Sequence, residues 1–236
     1  MMEQKLSNKA QPFLDHVEAW LANLPVLSAA ALFAEPERAA ITAVDIINGF
    51  IRFGSLSSPR VERIIPNVVR IMQAAWGLGV RNILHATDRH EPDAVEFNAF
   101  LPHCVQGTAE AEPVDELKAL PFAGSILNIP KNTIASGMQT ELEDWVLVHP
   151  EVDTFIVVGD VTDLCVYQLV MYLRLDANAR NLQRRVIVPE NCVQTYDYPT
   201  AAAESQGGIA HDGDLLHAVF LHHMALNGIE VVRDIV

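Results

Sequence analysis

Six short runs of β-forming apolar residues, four of them followed by a stretch with helical spacing, constrain this chain more than any other feature. The runs are Ile41–Ile47, Asn82–Thr87, Ser125–Ile129, Thr154–Val158, Arg185–Val188 and Ile229–Val232. A run of four to seven apolar residues is buried on both faces, and a helix between successive runs returns the chain to start the next strand in the same direction. The pattern therefore predicts an α/β fold: three layers, with an open parallel six-stranded sheet carrying helices on both faces. The intervening helices are expected at Val61–Trp76, Met138–Val148, Leu164–Ala179 and Asp214–Asn227. The stripe Val61, Ile64, Ile65, Val68, Ile71, Met72, Ala75 marks the first, and Gly77 and Gly79 end it.

Two segments fall outside this alternation. Residues 1–40 read as an N-terminal helical extension to a domain spanning 41–236. In it Phe13, Leu14, Val17, Trp20, Leu21 and Leu24 recur at helical spacing, as on an amphipathic helix that covers the domain or a neighbouring subunit. Residues 88–113 form a long polar loop, and loops of that length inside a domain are commonly functional.

Charge and cysteine content exclude several roles. The formal net charge is -14, so nucleic acid and anionic membrane are not expected partners. No apolar run reaches the length of a bilayer span. Met1-Met2-Glu3-Gln4-Lys5 lacks the basic and apolar regions of a signal peptide. Three cysteines, an odd and sparse set, point to free thiols in a reducing, cytoplasmic setting rather than to a disulfide framework.

In a parallel sheet the ligand crevice lies at the carboxyl ends of the strands. Asp45, Asp88, His90, Lys131 and the turn Gly159-Asp160-Val161-Thr162-Asp163-Leu164-Cys165 all fall there. Cys165 in the first turn of a helix is favoured as a thiolate by free N–H groups and the helix dipole, and a nearby Lys131 would favour it further. Asp45 could take the thiol proton and return it to a leaving amine. Successive N–H groups of the turn could form an oxyanion hole. Taken singly, each has a plainer reading: Cys165 as a small core residue, Asp163 as a helix cap, Lys131 as a solvated lysine, Asp45 as a partner of the next loop. Their joint placement at one sheet edge favours chemistry. The loop residues Asp88, His90, Glu96 and His103 offer oxygen and nitrogen donors suited to zinc, iron or manganese. Cys104 is a weaker rival as ligand or nucleophile. His211, His217, His222 and His223 lack the spacing of a helical metal pair and read as surface or satisfied core residues.

These segments resemble the isochorismatase-like cysteine hydrolases. Val44-Asp45-Ile46-Ile47-Asn48-Gly49-Phe50 resembles their opening motif, Ile129-Pro130-Lys131 their lysine motif, and Gly159-Asp160-Val161-Thr162-Asp163-Leu164-Cys165-Val166 their nucleophile turn. Asp88-Arg89-His90 and Pro102-His103-Cys104-Val105-Gln106-Gly107-Thr108 resemble the metal segments of the nicotinamidases in that group. The resemblance implies an Asp45–Lys131–Cys165 triad, a cis peptide before Val161, and an oxyanion hole from the N–H groups of Val161 and Cys165. It implies a divalent metal, zinc or else iron or manganese, on Asp88, His90 and His103 with Glu96 as a fourth ligand. Phe50 and Phe100 would face the substrate, and the chain would form a homo-oligomer. The implied reaction is hydrolysis of a small aromatic or heteroaromatic carboxamide through a thioester, with nicotinamide as the first choice. Ile47 and Gly49 depart from the opening motif, where relatives carry Gln and Asp, and Ala94 stands near a second metal-loop histidine of some relatives. Two alternatives stay open: an amidase for N-carbamoyl or ureido compounds, and a non-catalytic binding protein of the same fold.

Overall fold

The computed structural model describes residues 7–236, so the reading of the first five residues lies outside the described part. The strands are β1 (Val26–Leu27), β2 (Ala39–Val44), β3 (Asn82–Asp88), β4 (Leu127–Lys131), β5 (Thr154–Asp160), β6 (Arg185–Pro189), β7 (Val193–Gln194), β8 (Glu230–Val232) and β9 (Asp234–Ile235). All six expected runs are strands of one parallel sheet, in the order β4-β3-β2-β5-β6-β8. The sheet has seven strands rather than six, because β7 adds to the end of β5 beyond β6. Two residues carry no period, which is why β7 was not legible. Strands β1 and β9 form a separate parallel pair that ties the N-terminal segment to the C-terminus.

Alternation along the strands separates two cores. Ile41, Ala43, Ile83, Ile156, Val158 and Ile187 pack on one face with the helix Ile65–Gly77. Ala40, Val44, Leu84, Phe155, Val157, Val186 and Val188 pack on the other, with the helices Glu141–Val148, Cys165–Arg180 and Gly213–Leu226. Strand side chains alternate with a period of two, so an unbroken apolar run supplies both layers. The helix Ser7–Ala22 lies against Gly213–Leu226, with Val17 buried and the rings of Phe13 and Trp20 edge-on to His222.

Several boundaries shift for local reasons. The first strand stops at Val44, because Asp45 adopts φ 53° and turns the chain out of the sheet. The single helix expected over Val61–Trp76 is two, Pro59–Glu62 and Ile65–Gly77. Pro66 sits in the first turn of the second, where it has no N–H to give and blocks continuation from the turn before. The third strand begins later than Ser125, after the short 3₁₀ turn Ala123–Ser125. The long loop carries two 3₁₀ turns, Val95–Asn98 and Ala109–Ala111, is pinned to the body by the bridge Ile47–Pro113 and folds on itself through the bridge His90–Val105. Among the described residues no helix is long and apolar enough to cross a membrane.

Candidate active site

The strand order places a switch point beside β2: the chain runs from β2 to β3 and β4 on one side, then crosses to β5 on the other. Strands diverging from a switch point leave a crevice at their carboxyl ends. A cavity of about 700 Å³ lies there, with Cys165, Phe50, Phe100, His103, Asp160 and Tyr196 among its walls.

Register supplies the first contacts. Asp88 and Lys131 are direct partners on β3 and β4, so their side chains share a face. The buried Lys131 ammonium hydrogen-bonds the Asp88 carboxylate, lies 2.8 Å from Asp45 Oδ2, and donates to Cys165 Sγ at 3.6 Å. Asp45 Oδ1 accepts the Asp88 N–H at 2.7 Å, which fixes the carboxylate despite the left-handed backbone. The three side chains singled out at distant positions thus meet, and Asp88 joins them. Sequence reasoning had assigned Asp88 to the metal loop alone; the β3–β4 register, not any motif, brings it to Lys131.

Charge in this cluster is set by burial. Desolvation, then the neighbouring Asp88, pushes Asp45 up to about 6, against the pull of Lys131. Burial disfavours the Lys131 ammonium, but the Asp45 and Asp88 carboxylates outweigh it and hold Lys131 well above its usual range. Burial pushes the Cys165 thiol well up, with Lys131 opposing. Cys165 opens its helix as expected, but full burial beside two carboxylates outweighs the helix dipole and lysine that favour the thiolate, which leaves a proton for a base to take.

The nucleophile turn follows β5. Gly159 has φ 119°, and a Cβ there would fall 2.1 Å from the Val44 carbonyl oxygen, so only glycine fits against β2. The peptide Asp160–Val161 is cis. The N–H groups of Thr162, Leu164 and Val166 are bonded to Gln194 O and Val161 O. Among the hydrogen bonds of the described residues, none uses the N–H of Val161 or of Cys165. Cys165 is the first residue of its helix, where N–H groups have no intrahelical partner.

The turn is gripped from the C-terminal part of the chain. His211 Nε2 lies 2.7 Å from Asp163 Oδ2, and His217 Nδ1 lies 2.8 Å from Thr162 Oγ1. Asp163 therefore does not cap the helix; the cap position is Leu164, with no side-chain bond. The reading of His211 as a satisfied core residue holds; His217 is buried too, but its Nε2 has no hydrogen-bond partner, and the contacts of neither were foreseeable from spacing. Tyr196 stacks on His211 with centroids 3.8 Å apart, and the segment 196–209 walls the cavity.

Asp88, His90 and His103 converge, all buried, with ligand atoms within 4.8 Å of one another. His90 Nδ1 lies 3.2 Å from Asn132 Oδ1, an oxygen that also accepts the Glu91 N–H, and His103 Nδ1 lies 2.7 Å from the Leu101 carbonyl. Both partners can only accept, so both Nδ1 atoms carry a proton, and in the neutral imidazoles both Nε2 atoms are lone pairs. Those lone pairs face each other at 3.1 Å, each 3.5 Å from Asp88 Oδ2, an oxygen without a hydrogen-bond donor. Two lone pairs and a free carboxylate oxygen repel unless a cation joins them, so the residues fit a divalent metal. Glu96 is outside this group of three. Its Oε2 accepts from Ile134 N–H and its buried Oε1 has no partner. Phe50, Phe97 and Phe100 ring His103 edge-on, and of these Phe97 was not anticipated. Cys104 packs beneath Gly49 and is not among the walls of the cavity, whereas Cys165 lines it beside Lys131, so Cys165 is the better placed nucleophile.

A parallel sheet with a buried cysteine, lysine and carboxylate at its switch point, beside an imidazole–carboxylate cluster, places the chain among the parallel-sheet α/β hydrolases. The chain belongs to the isochorismatase family: a model of the isochorismatase domain matches residues 39–231. It is a nicotinamidase-like member, 29% identical over 215 residues to nicotinamidase 1 of Arabidopsis thaliana, covering 83% of this chain and 85% of that protein. Among solved structures it is similar to the pyrazinamidase of Pyrococcus horikoshii in complex with zinc (TM-score 0.64, 22% identity, 83% of this chain and 99% of that one). It is also similar to the N-carbamoylsarcosine amidase of Thermoplasma acidophilum (TM-score 0.61, 21% identity, 83% and 96%).

Proposed function

We propose that this hydrolase is a metal-assisted cysteine amidase that cleaves a small aromatic or heteroaromatic carboxamide, nicotinamide in the first instance, to the acid and ammonia. The observation that carries this reading is the meeting of Lys131 and Asp45 with Cys165, which lines the cavity. As the Cys165 sulfur bonds to the carboxamide carbon, its proton passes to Asp45, whose raised affinity suits a base near neutrality. Lys131 stabilises the developing thiolate. The carbonyl oxygen takes up negative charge against the N–H groups of Val161 and Cys165. Asp45 returns the proton to the departing nitrogen, ammonia leaves and a thioester remains. Water, deprotonated by Asp45, then releases the acid and restores the thiol.

Asp88, His90 and His103 would hold the metal, with Glu96 the adjoining carboxylate. Zinc is the first choice for two imidazole nitrogens and a carboxylate oxygen, iron or manganese the next. When bound, the cation supplies a Lewis-acidic anchor for a basic atom of the substrate. Phe50 and Phe100 provide faces for a flat ring. The metal cluster favours this reading over a metal-free amidase for ureido compounds. We assign the hydrolase domain to 41–236, with 1–40 as an appended helical segment, and place the protein in the cytoplasm, where its three free cysteines stay reduced. An ammonia-release assay over a panel of amides tests the proposal. Cys165→Ala should abolish release while the protein keeps its fold and its metal, and retained turnover overturns the mechanism.

A further inference from the structure

Asp160 is the one member of the buried acidic cluster that neither the fold nor the mechanism uses. It closes β5 on a face that otherwise carries Ile156 and Val158, so an apolar residue would continue the pattern. Instead the chain places a fully buried carboxyl there, and neither of its oxygens has a hydrogen-bond partner. A buried carboxyl left unpaired is costly, and native structures rarely tolerate one without a use. Its surroundings add to the cost: Asp45 and Asp88 lie near enough to repel it, and Lys131 is already shared between those two. The residue lines the same cavity as Cys165, and the next residue supplies a candidate oxyanion N–H. Burial first, then the Asp45 carboxylate, pushes Asp160 well above the ordinary carboxylate range, and in either protonation state it keeps at least one acceptor oxygen without a partner.

We propose that Asp160 is a specificity-determining residue, which completes its hydrogen bonding on the substrate and selects carboxamides that carry an additional N–H or O–H donor over analogues that lack it. The inference rests on the amidase reading for the carboxamide itself. A site built around a buried polar group rejects a ligand that leaves the group unpaired far more strongly than an apolar pocket rejects an added hydroxyl. Asp160 thereby ranks donor-bearing carboxamides above ring amides that carry no further donor, nicotinamide among them, and shifts the expected substrate within the same amidase class.

Calorimetric binding to the full-length, metal-loaded Cys165→Ala protein tests this without turnover. The probes are 2-, 3- and 4-aminobenzamide, each paired with the toluamide of the same substitution pattern, which swaps the amino group for a methyl. At least one amino isomer should bind ten-fold or more tightly than its methyl partner. Adding Asp160→Leu should bring that ratio to near one, while Asp160→Asn, which keeps an acceptor oxygen, should retain most of it. Should the leucine variant fail to fold, Asp160→Val serves in its place. Equal binding within all three pairs by the protein that retains Asp160 overturns the proposal, as does a ratio that survives both apolar substitutions, or binding of neither member of any pair. Ammonia release from the same amides by the unmodified protein separates the two readings. Discrimination without turnover keeps Asp160 and removes the amidase chemistry; turnover without discrimination removes only Asp160.

Discussion

Replacing Lys131 by methionine removes the ammonium that the buried Asp45 and Asp88 share. The side chains are similar in length, so packing changes little and the effect is electrostatic. At 2.8 Å the Asp45–Lys131 attraction is about 6 kcal/mol at an effective dielectric of about 20. Lys131 recovers hydration on unfolding, which offsets part of that, and breaking a buried pair from one side costs about 3–5 kcal/mol. We therefore expect Lys131→Met to lose about 3–5 kcal/mol at pH 8 in urea unfolding followed by circular dichroism. The sign of the pH dependence is fixed. Asp45 already stands near 6 with Lys131 present, and loss of the cation moves both Asp45 and Asp88 upward. Groups with a raised folded pKa contribute stability that is present below their unfolded value, about 3.9, and lost as pH rises through the folded value. The deficit of the variant should therefore shrink at pH 5 and grow toward pH 8, by about 1.4 kcal/mol for each unit of upward movement. A loss below about 1 kcal/mol that is flat between pH 5 and pH 8 would show that Lys131 does not neutralise this cluster.

Three further outcomes follow from the site. Since Asp45 must be ionised to take the thiol proton, kcat/KM for ammonia release should rise with pH up to a limb near 6, and Asp45→Asn should lose about 10²–10⁴-fold; a wild-type profile flat down to pH 5 would exclude Asp45 as the base. Asn132 sets the tautomer of His90, so Asn132→Ala should weaken metal retention about 10–100-fold in competition with a chelator, and unchanged retention would argue against His90 as a ligand. Gly159→Ala should fail to accumulate as folded protein, because the added carbon meets the Val44 backbone at 2.1 Å in a conformation alanine resists; a wild-type melting temperature would refute the close approach of β5 to β2.

The fold was legible because parallel strands buried on both faces leave a period-free apolar run, and this chain has six. Strand β7 has two residues and the β1–β9 pair two on each side, too few to show a pattern. At the site, Asp45, Lys131 and Cys165 could be found by asking what stands at strand ends, because topology alone delivers those positions to one crevice. Residues that matter through contact were hidden. His211 and His217 reach Asp163 and Thr162 across 48 and 55 positions, and a histidine near a C-terminal helix gives no local sign of its partner. Asp160 was in plain view within the turn, yet only coordinates reveal that both its oxygens lack a partner.

Asp88 explains why the two halves of the site cannot be separated. One of its oxygens bonds the Lys131 ammonium, and the other stands against the paired imidazoles of His90 and His103. A cation on the second oxygen withdraws charge from the carboxylate and weakens its hold on Lys131, which leaves more of the ammonium for Asp45 and Cys165. With the metal removed, Asp88 competes fully for Lys131 and the thiol loses part of its stabilising charge. Metal occupancy should then govern not only where a substrate binds but how readily Cys165 gives up its proton. In that arrangement the rate of Cys165 alkylation is a direct gauge of metal occupancy: iodoacetamide should modify the metal-loaded protein faster than the chelated one, and equal rates would mean that Asp88 carries no coupling between them.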